Sequence, residues 1–173
     1  MRTLRAVEYI TPLREGGSLP AVVRAEDGAL YALKFAGAGQ GVKALIAELI
    51  GGEVARALGF CVPDMVLLEL DPAIGRGEPD PEIQDLLVAS AGLNLGLRFL
   101  SHAARFSLLA GPRPSGTFAS RVVWLDAYLT NVDRTARNVN MLVHQGQIWL
   151  IDHGACLYFH HRWGDYWRQS ETP

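Results

Sequence analysis

Three short β-prone runs open the chain: Arg5 to Tyr9, Ala21 to Arg24 and Leu30 to Phe35. The stretches between them, LREGGSLP and EDGA, both carry glycine at a tight turn. Short runs joined this closely pair with their sequence neighbours in opposite directions, so the spacing predicts an antiparallel meander. FAGAGQG then ends the strand pattern. Next, VKALIAELIGGEVARALGF places Leu45, Ile46, Leu49, Ile50, Val54 and Leu58 at helical intervals, with Gly59 as a natural stop. Gly51 and Gly52 weaken a helix interior by roughly 1 kcal/mol each relative to Ala, unless they serve close packing against the sheet.

Beyond Gly59, CVPDMVLLEL reads as a strand entered through Pro63. DPAIGRGEPDPE is a surface loop, EIQDLLVASAG a short helix and LNLGLRFL a second strand-like run. Residues 101–119 mix Gly, Pro and Ser with short apolar pieces and are assigned little structure. SRVVWLDAYLTN is expected as a helix capped by Ser120, with Val123, Leu125, Tyr128 and Leu129 making apolar contacts. A hairpin follows, MLV and QIWLI around the turn HQG, and the tail is aromatic and then polar. The fold class is therefore α+β: a β-rich part with one helix, a connector, then a helix, a polar loop and a hairpin.

The 173 residues suffice for one domain or two small lobes, and 49% hydrophobic with 20% charged residues is ordinary for a globular protein. A net charge of −2 without a Lys/Arg cluster gives no reason to expect direct nucleic-acid binding. Cys61 and Cys156, far apart in sequence, form neither a disulfide framework nor a metal motif and read as reduced core thiols. No signal-like run opens the chain and no apolar run approaches the roughly 18 residues of a membrane helix, so a soluble cytoplasmic protein without membrane partners is expected.

The chemistry concentrates in NVDRTARNVNMLVHQGQIWLIDHG, residues 131–154. Asp133 and Asn138 have four residues between them, and Asp152 follows the hairpin. Strands on either side of a tight turn have adjacent open ends, so Asn138 and Asp152 come together. An amide oxygen and a carboxylate there suit a hard divalent cation such as Mg²⁺. Asp133, in the preceding loop, is placed to orient or deprotonate a hydroxyl. Lys34 is the lysine on a predicted strand, on the opposite face from Leu33. A lysine on a covered face needs a partner; Glu48 is the natural one, flanked by Leu45, Ile46 and Leu49, and Glu53 is the rival.

Lys34 on a strand, Glu48 on the next helix, Asp133-x4-Asn138 and Asp152-x-Gly154 stand in the order of the protein-kinase-like fold. The wording NVDRTARN, with YALKFAGAGQG, AELIGGEVARALGFCVPD, EIQDLLVASAGLNLG and LIDHGACLYFHHRW, resembles the HipA-like bacterial kinases. The resemblance implies a bilobal kinase-like fold, with residues 1–100 a nucleotide-binding N-lobe and 101–173 a shortened, mainly helical C-lobe carrying the catalytic loop and metal-binding hairpin. It implies ATP and Mg²⁺ as cofactors and transfer of the γ-phosphoryl group to a hydroxyl, a Ser or Thr of a protein substrate. Lys34, held by Glu48, would contact the α- and β-phosphates, Asp133 would be the catalytic base, and Asn138 with Asp152 would hold the metal. Gly16, Gly17 and Ser18 would cover the phosphates through backbone N–H groups, and backbone near Leu97 to Leu100 would meet the adenine.

Three departures stand against the pattern. EGGS is not a full G-x-G-x-x-G, Asn131-Val132 stands where His-Arg would precede Asp133, and the chain stops about twenty residues after Asp-His-Gly. A partner protein completing or regulating the C-lobe would fit the last point. A small-molecule kinase and a nucleotide-binding module without turnover are the alternative readings. Singly, Asp133, Asn138 and Asp152 read as turn residues and Lys34 as an edge charge; their shared order carries the functional reading. His153, His160 and His161 lack zinc spacing. Arg134 fits a phosphate contact or a structural salt bridge equally well. Trp124, Trp149, Trp163 and Trp167 read as core and lobe contacts.

Overall fold

A computed structural model describes residues 1–13, 19–39, 41–109 and 111–162. Its elements are β1 (Thr3–Pro12), β2 (Ala21–Ala25), β3 (Leu30–Lys34), α1 (Gly41–Ala57), β4 (Met65–Leu70), α2 (Pro81–Ala89), β5 (Gly92–Arg98), β6 (Ala104–Arg105), α3 (Gly116–Tyr128), β7 (Met141–His144) and β8 (Gln147–Leu150). This is the expected α+β composition. The chain divides into two compact units, Met1–Leu45 with Pro63–Ser101 and Ile46–Val62 with His102–Pro173. Residues 46–62, placed by sequence with the first hundred, thus group with the later part of the chain.

In the first unit the meander forms as expected: β1, β2 and β3 pair antiparallel in sequence order. It does not stay open. β5 pairs with both β3 and β4, and β4 runs parallel to β1 through Thr3↔Leu67, Leu4↔Leu68 and Arg5↔Glu69, closing a five-stranded barrel. Closure removes the sheet edges, which otherwise expose unpaired N–H and C=O groups. Val23, Tyr31, Leu33, Val66 and Leu68 fill the core with Ile83 and Leu87 of α2. Asp80 caps α2 by accepting from Glu82 N at 3.1 Å, with Pro81 in the first turn. Gly96 lies opposite Val66, and a Cβ there would stand 2.4 Å from Leu68 Cδ1, so only glycine lets that leucine cross β5.

The second unit is mixed rather than mainly helical among the described residues: β6, β7 and β8 form a three-stranded sheet beside α3. Ala47, Ala55, Phe60, Val62, Val122, Leu125, Leu129, Leu150 and Cys156 make its core. The apolar residues that mark the period of α1 are not the ones it buries. Ile46 and Ile50 are 46% and 42% exposed, whereas Ala47, Glu48, Gly51, Gly52 and Ala55 are buried. The small side chains let the segment around His153 and Cys156 approach: a Cβ on Gly51 would lie 2.8 Å from His153 Cβ and 3.1 Å from Cys156 Sγ. Gly51 therefore packs against that segment.

The stop at Gly59 is confirmed. Its φ is +82°, and Gly59 N donates to Arg56 O while Phe60 N donates to Ala55 O, the paired bonds of a Schellman cap. Two expectations for α3 are corrected. Ser115 caps it, accepting from Phe118 N at 3.1 Å, so the helix begins before Ser120. Val122, Leu125 and Leu129 face inward, while Val123 and Tyr128 are exposed. Trp124 is likewise exposed and stacks on Tyr128 at 5.2 Å, so it is not a core residue. Trp163 and Trp167 lie outside the described residues.

Candidate functional site

The last turn of α3 supplies the anchor of the site. Asp126 O accepts from Asn131 N at 2.8 Å, and Asp126 Oδ1 accepts from Asn131 Nδ2 and from Arg134 Nε, each at 3.1 Å. The loop that leaves the helix is thus hung from one carboxylate. Burial raises the pKa of Asp126, with Arg134 and Asn131 pulling against it. Arg134, with only 3% of its side chain exposed, also donates to Asn140 O at 3.0 Å. Of the two roles open for Arg134, the structural salt bridge is the one observed.

Asp133 sits in this loop, half-buried, with its backbone N–H donating to Asn131 Oδ1 at 3.1 Å. Its Oδ2 accepts from Asn138 Nδ2 at 2.9 Å and from Asn140 Nδ2 at 2.8 Å. Asn138 is fixed by a reciprocal turn: Thr135 N donates to Asn138 O at 2.9 Å, and Asn138 N to Thr135 Oγ1 at 3.1 Å. Asp133 and Asn138, given separate tasks by the sequence, are in direct contact. Asn140 is the residue that sequence reasoning missed. N-x-N was a weak signal, because Asn140 turns to φ +45° and does not continue the extended alternation that sets residues two apart on one face.

The hairpin pairs Met141 with Leu150 and turns at Gln145 and Gly146, both at positive φ, one residue tighter than HQG. Pairing continues one step past the strands, with Ile151 N donating to Asn140 O at 3.0 Å. Asp152 follows at φ +58°, a left-handed conformation few side chains adopt, and it is half-buried. His153 is fully buried, with Nδ1 3.8 Å from Oε1 of the equally buried Glu48. Glu53, the rival of Glu48, is exposed and pairs with Arg56 at 2.7 Å.

In the first unit Lys34 is half-buried on β3, one residue after the fully buried Leu33, as the alternation requires. Leu97 lies within β5 between Ala32 and Met65, and Leu100 follows the strand, half-buried. Gly16, Gly17 and Ser18 lie outside the described residues. Cys156 is buried and Cys61 half-buried, both as free thiols. Burial pushes the Cys156 thiol up to about 12. No described helix is long and apolar enough to cross a membrane.

A loop carboxylate held by amides, followed by a hairpin ending in a second carboxylate, is an arrangement fit for phosphoryl transfer. The chain matches the family model described as HipA-like kinase over residues 6–162 and belongs to that family. Its class of protein is therefore that of the kinases. No match was found among curated proteins or among solved structures.

Proposed function

We propose that this chain transfers the γ-phosphoryl group of Mg-ATP to a hydroxyl, the acceptor being a Ser or Thr of a protein. The observation that carries the reading is the contact of Asp133 Oδ2 with Asn138 Nδ2. It puts a proton acceptor and an amide in one rigid loop, as an in-line transfer between a bound hydroxyl and a metal-held phosphate needs.

The donor set fits Mg²⁺. With Nδ2 turned to Asp133, the carbonyl end of the Asn138 amide points away from that carboxylate, and Asp152 adds an anionic oxygen beyond the hairpin. One neutral and one charged oxygen ligand leave the remaining positions to phosphates and water, the pattern Mg²⁺ prefers. When bound, the ion would neutralise charge on the β- and γ-phosphates. Asp133 would orient the acceptor hydroxyl and take its proton. Lys34 is assigned to the α- and β-phosphates, Gly16, Gly17 and Ser18 to the phosphate cover, and the backbone from Leu97 to Leu100 to the adenine, all by their place in the motif order. A bilobal kinase-like organisation belongs to the same reading.

The test is label transfer from γ-labelled ATP with Mg²⁺, first to the chain itself and then to a panel of proteins and small hydroxyl compounds. Asp133→Ala and Asp152→Ala should each abolish transfer. Undiminished labelling in either variant removes the role assigned to that residue. Label found on small molecules alone replaces the protein acceptor. Mg-ATP binding without transfer to any acceptor replaces the kinase with a nucleotide-binding module.

A further inference from the structure

Asp133 has two carboxylate oxygens, and the structure treats them unequally. Oδ2 receives N–H donors from Asn138 and Asn140, 2.9 and 2.8 Å away. A carboxylate oxygen offers about two in-plane lone-pair directions, so these two amides fill Oδ2. We infer that Asn140 is a positioning residue for the transfer step, fixing Asp133 Oδ2 so that Oδ1 is the oxygen offered to the acceptor hydroxyl. The inference rests on the phosphotransfer reading above and adds to it a residue and a division of labour between the two oxygens.

The backbone of Asn140 supports the role. It is buried and sits at φ +45°, in the left-handed region that asparagine tolerates better than most side chains. Its carbonyl accepts from Ile151 N and from Arg134 Nη1, both at 3.0 Å. Arg134 is in turn held by Asp126. The amide that grips Asp133 is thus mounted on the start of the hairpin and on a partly buried ion pair. Asn138, by contrast, has a second task in the proposed function, because its Oδ1 would serve as a metal ligand. A donor with no share in metal binding keeps Asp133 aimed whether or not the ion is present.

Asn140→Gly keeps the left-handed backbone and removes the amide. Asn140→Asp keeps the size and the backbone preference but sets a carboxylate against Asp133. The measurement is kcat and KM for Mg-ATP in autophosphorylation or ATP turnover, with the Kd for Mg-AMP-PNP and the melting temperature of each variant. Expected is a fall in kcat of roughly 10- to 100-fold for Asn140→Gly, as for other lost orienting contacts, with KM and the nucleotide Kd almost unchanged. Asn140→Asp should be lower still while folding normally. An unchanged kcat in both variants, or losses of kcat and nucleotide affinity in step, overturns the inference while leaving the kinase reading in place. A wild-type chain that binds Mg-AMP-PNP but turns over no ATP overturns both.

Discussion

His153 Nδ1 lies 3.8 Å from Glu48 Oε1, and neither side chain reaches solvent. The separation exceeds a hydrogen bond, so the two side chains meet by packing. It joins α1 to the Asp-His-Gly turn, where Asp152 already holds an unusual backbone conformation. Removing either side chain would empty a packed interior site.

His153→Ala should therefore lower stability by about 2–4 kcal/mol, the range for emptying a packed interior site. Urea unfolding should show an earlier midpoint at an unchanged slope. A midpoint equal to that of the wild type would mean that the turn does not depend on the imidazole.

Gly51→Ala reverses the usual rule for helices. Alanine gains about 1 kcal/mol over glycine in a free helix interior. Here the new methyl would stand 2.8 Å from His153 Cβ, an atom fixed to the backbone. The expected outcome is a net loss of about 1–3 kcal/mol from overpacking. A rise in melting temperature would show that the 153–156 segment yields freely.

Asp126→Ala should cost about 3–5 kcal/mol, since it leaves Arg134, with 3% of its side chain exposed, as an unpaired buried charge. Asp126→Asn keeps an oxygen for Asn131 and Arg134 and should cost less. Equal losses from the two substitutions, read by calorimetry, would mean that the loop is not hung from this side chain.

Cys156 should resist iodoacetamide in the folded chain and react only on unfolding, while the half-buried Cys61 reacts first. Its pKa, raised by burial to about 12 against the downward pull of Arg134, also predicts a pH effect. The unfolded thiol loses its proton near pH ~8.5, whereas the folded one keeps it. The folded state then binds more protons above that value, so stability is complete below it and declines as pH rises toward 12. Melting curves across the alkaline range should fall less steeply for Cys156→Ala than for the wild type, and identical slopes would contradict the burial.

Asp152→Asn should raise the Mg²⁺ concentration needed for half-maximal nucleotide binding by roughly 10- to 100-fold, the loss of one charge-assisted contact. Asp133→Asn should leave that value close to wild type and abolish transfer. Titration of Mg²⁺ at fixed AMP-PNP separates the two carboxylates, and matching shifts in both variants would deny the split.

The strands at 21–25 and 30–34 were legible because a two-residue alternation and a glycine turn act within a few residues. The cap of α3 was not. Ser115 and Ser120 both precede apolar residues, and Ser115 is the one with a long enough helix after it to seat Phe118 against Phe60, their rings 5.7 Å apart. The buried face of α1 was misleading for a related reason. Helical period marks where large apolar residues fall, but Ala47, Gly51 and Ala55 were chosen by what packs on them.

The sequence by itself determined the order of the elements other than β6, the hairpin that separates Asn138 from Asp152, and membership in the HipA-like kinases, because each of these is written in local pattern and motif spacing. Tertiary structure alone decided that β4 closes a barrel on β1, that Glu48 rather than Glu53 is buried, and that Asn140 and the Asp126 anchor join Asp133 in one constellation. Those outcomes depend on side chains and strands that meet only after the chain has folded back on itself. Their energies come from close packing and from satisfying buried polar groups, which no local window of sequence contains.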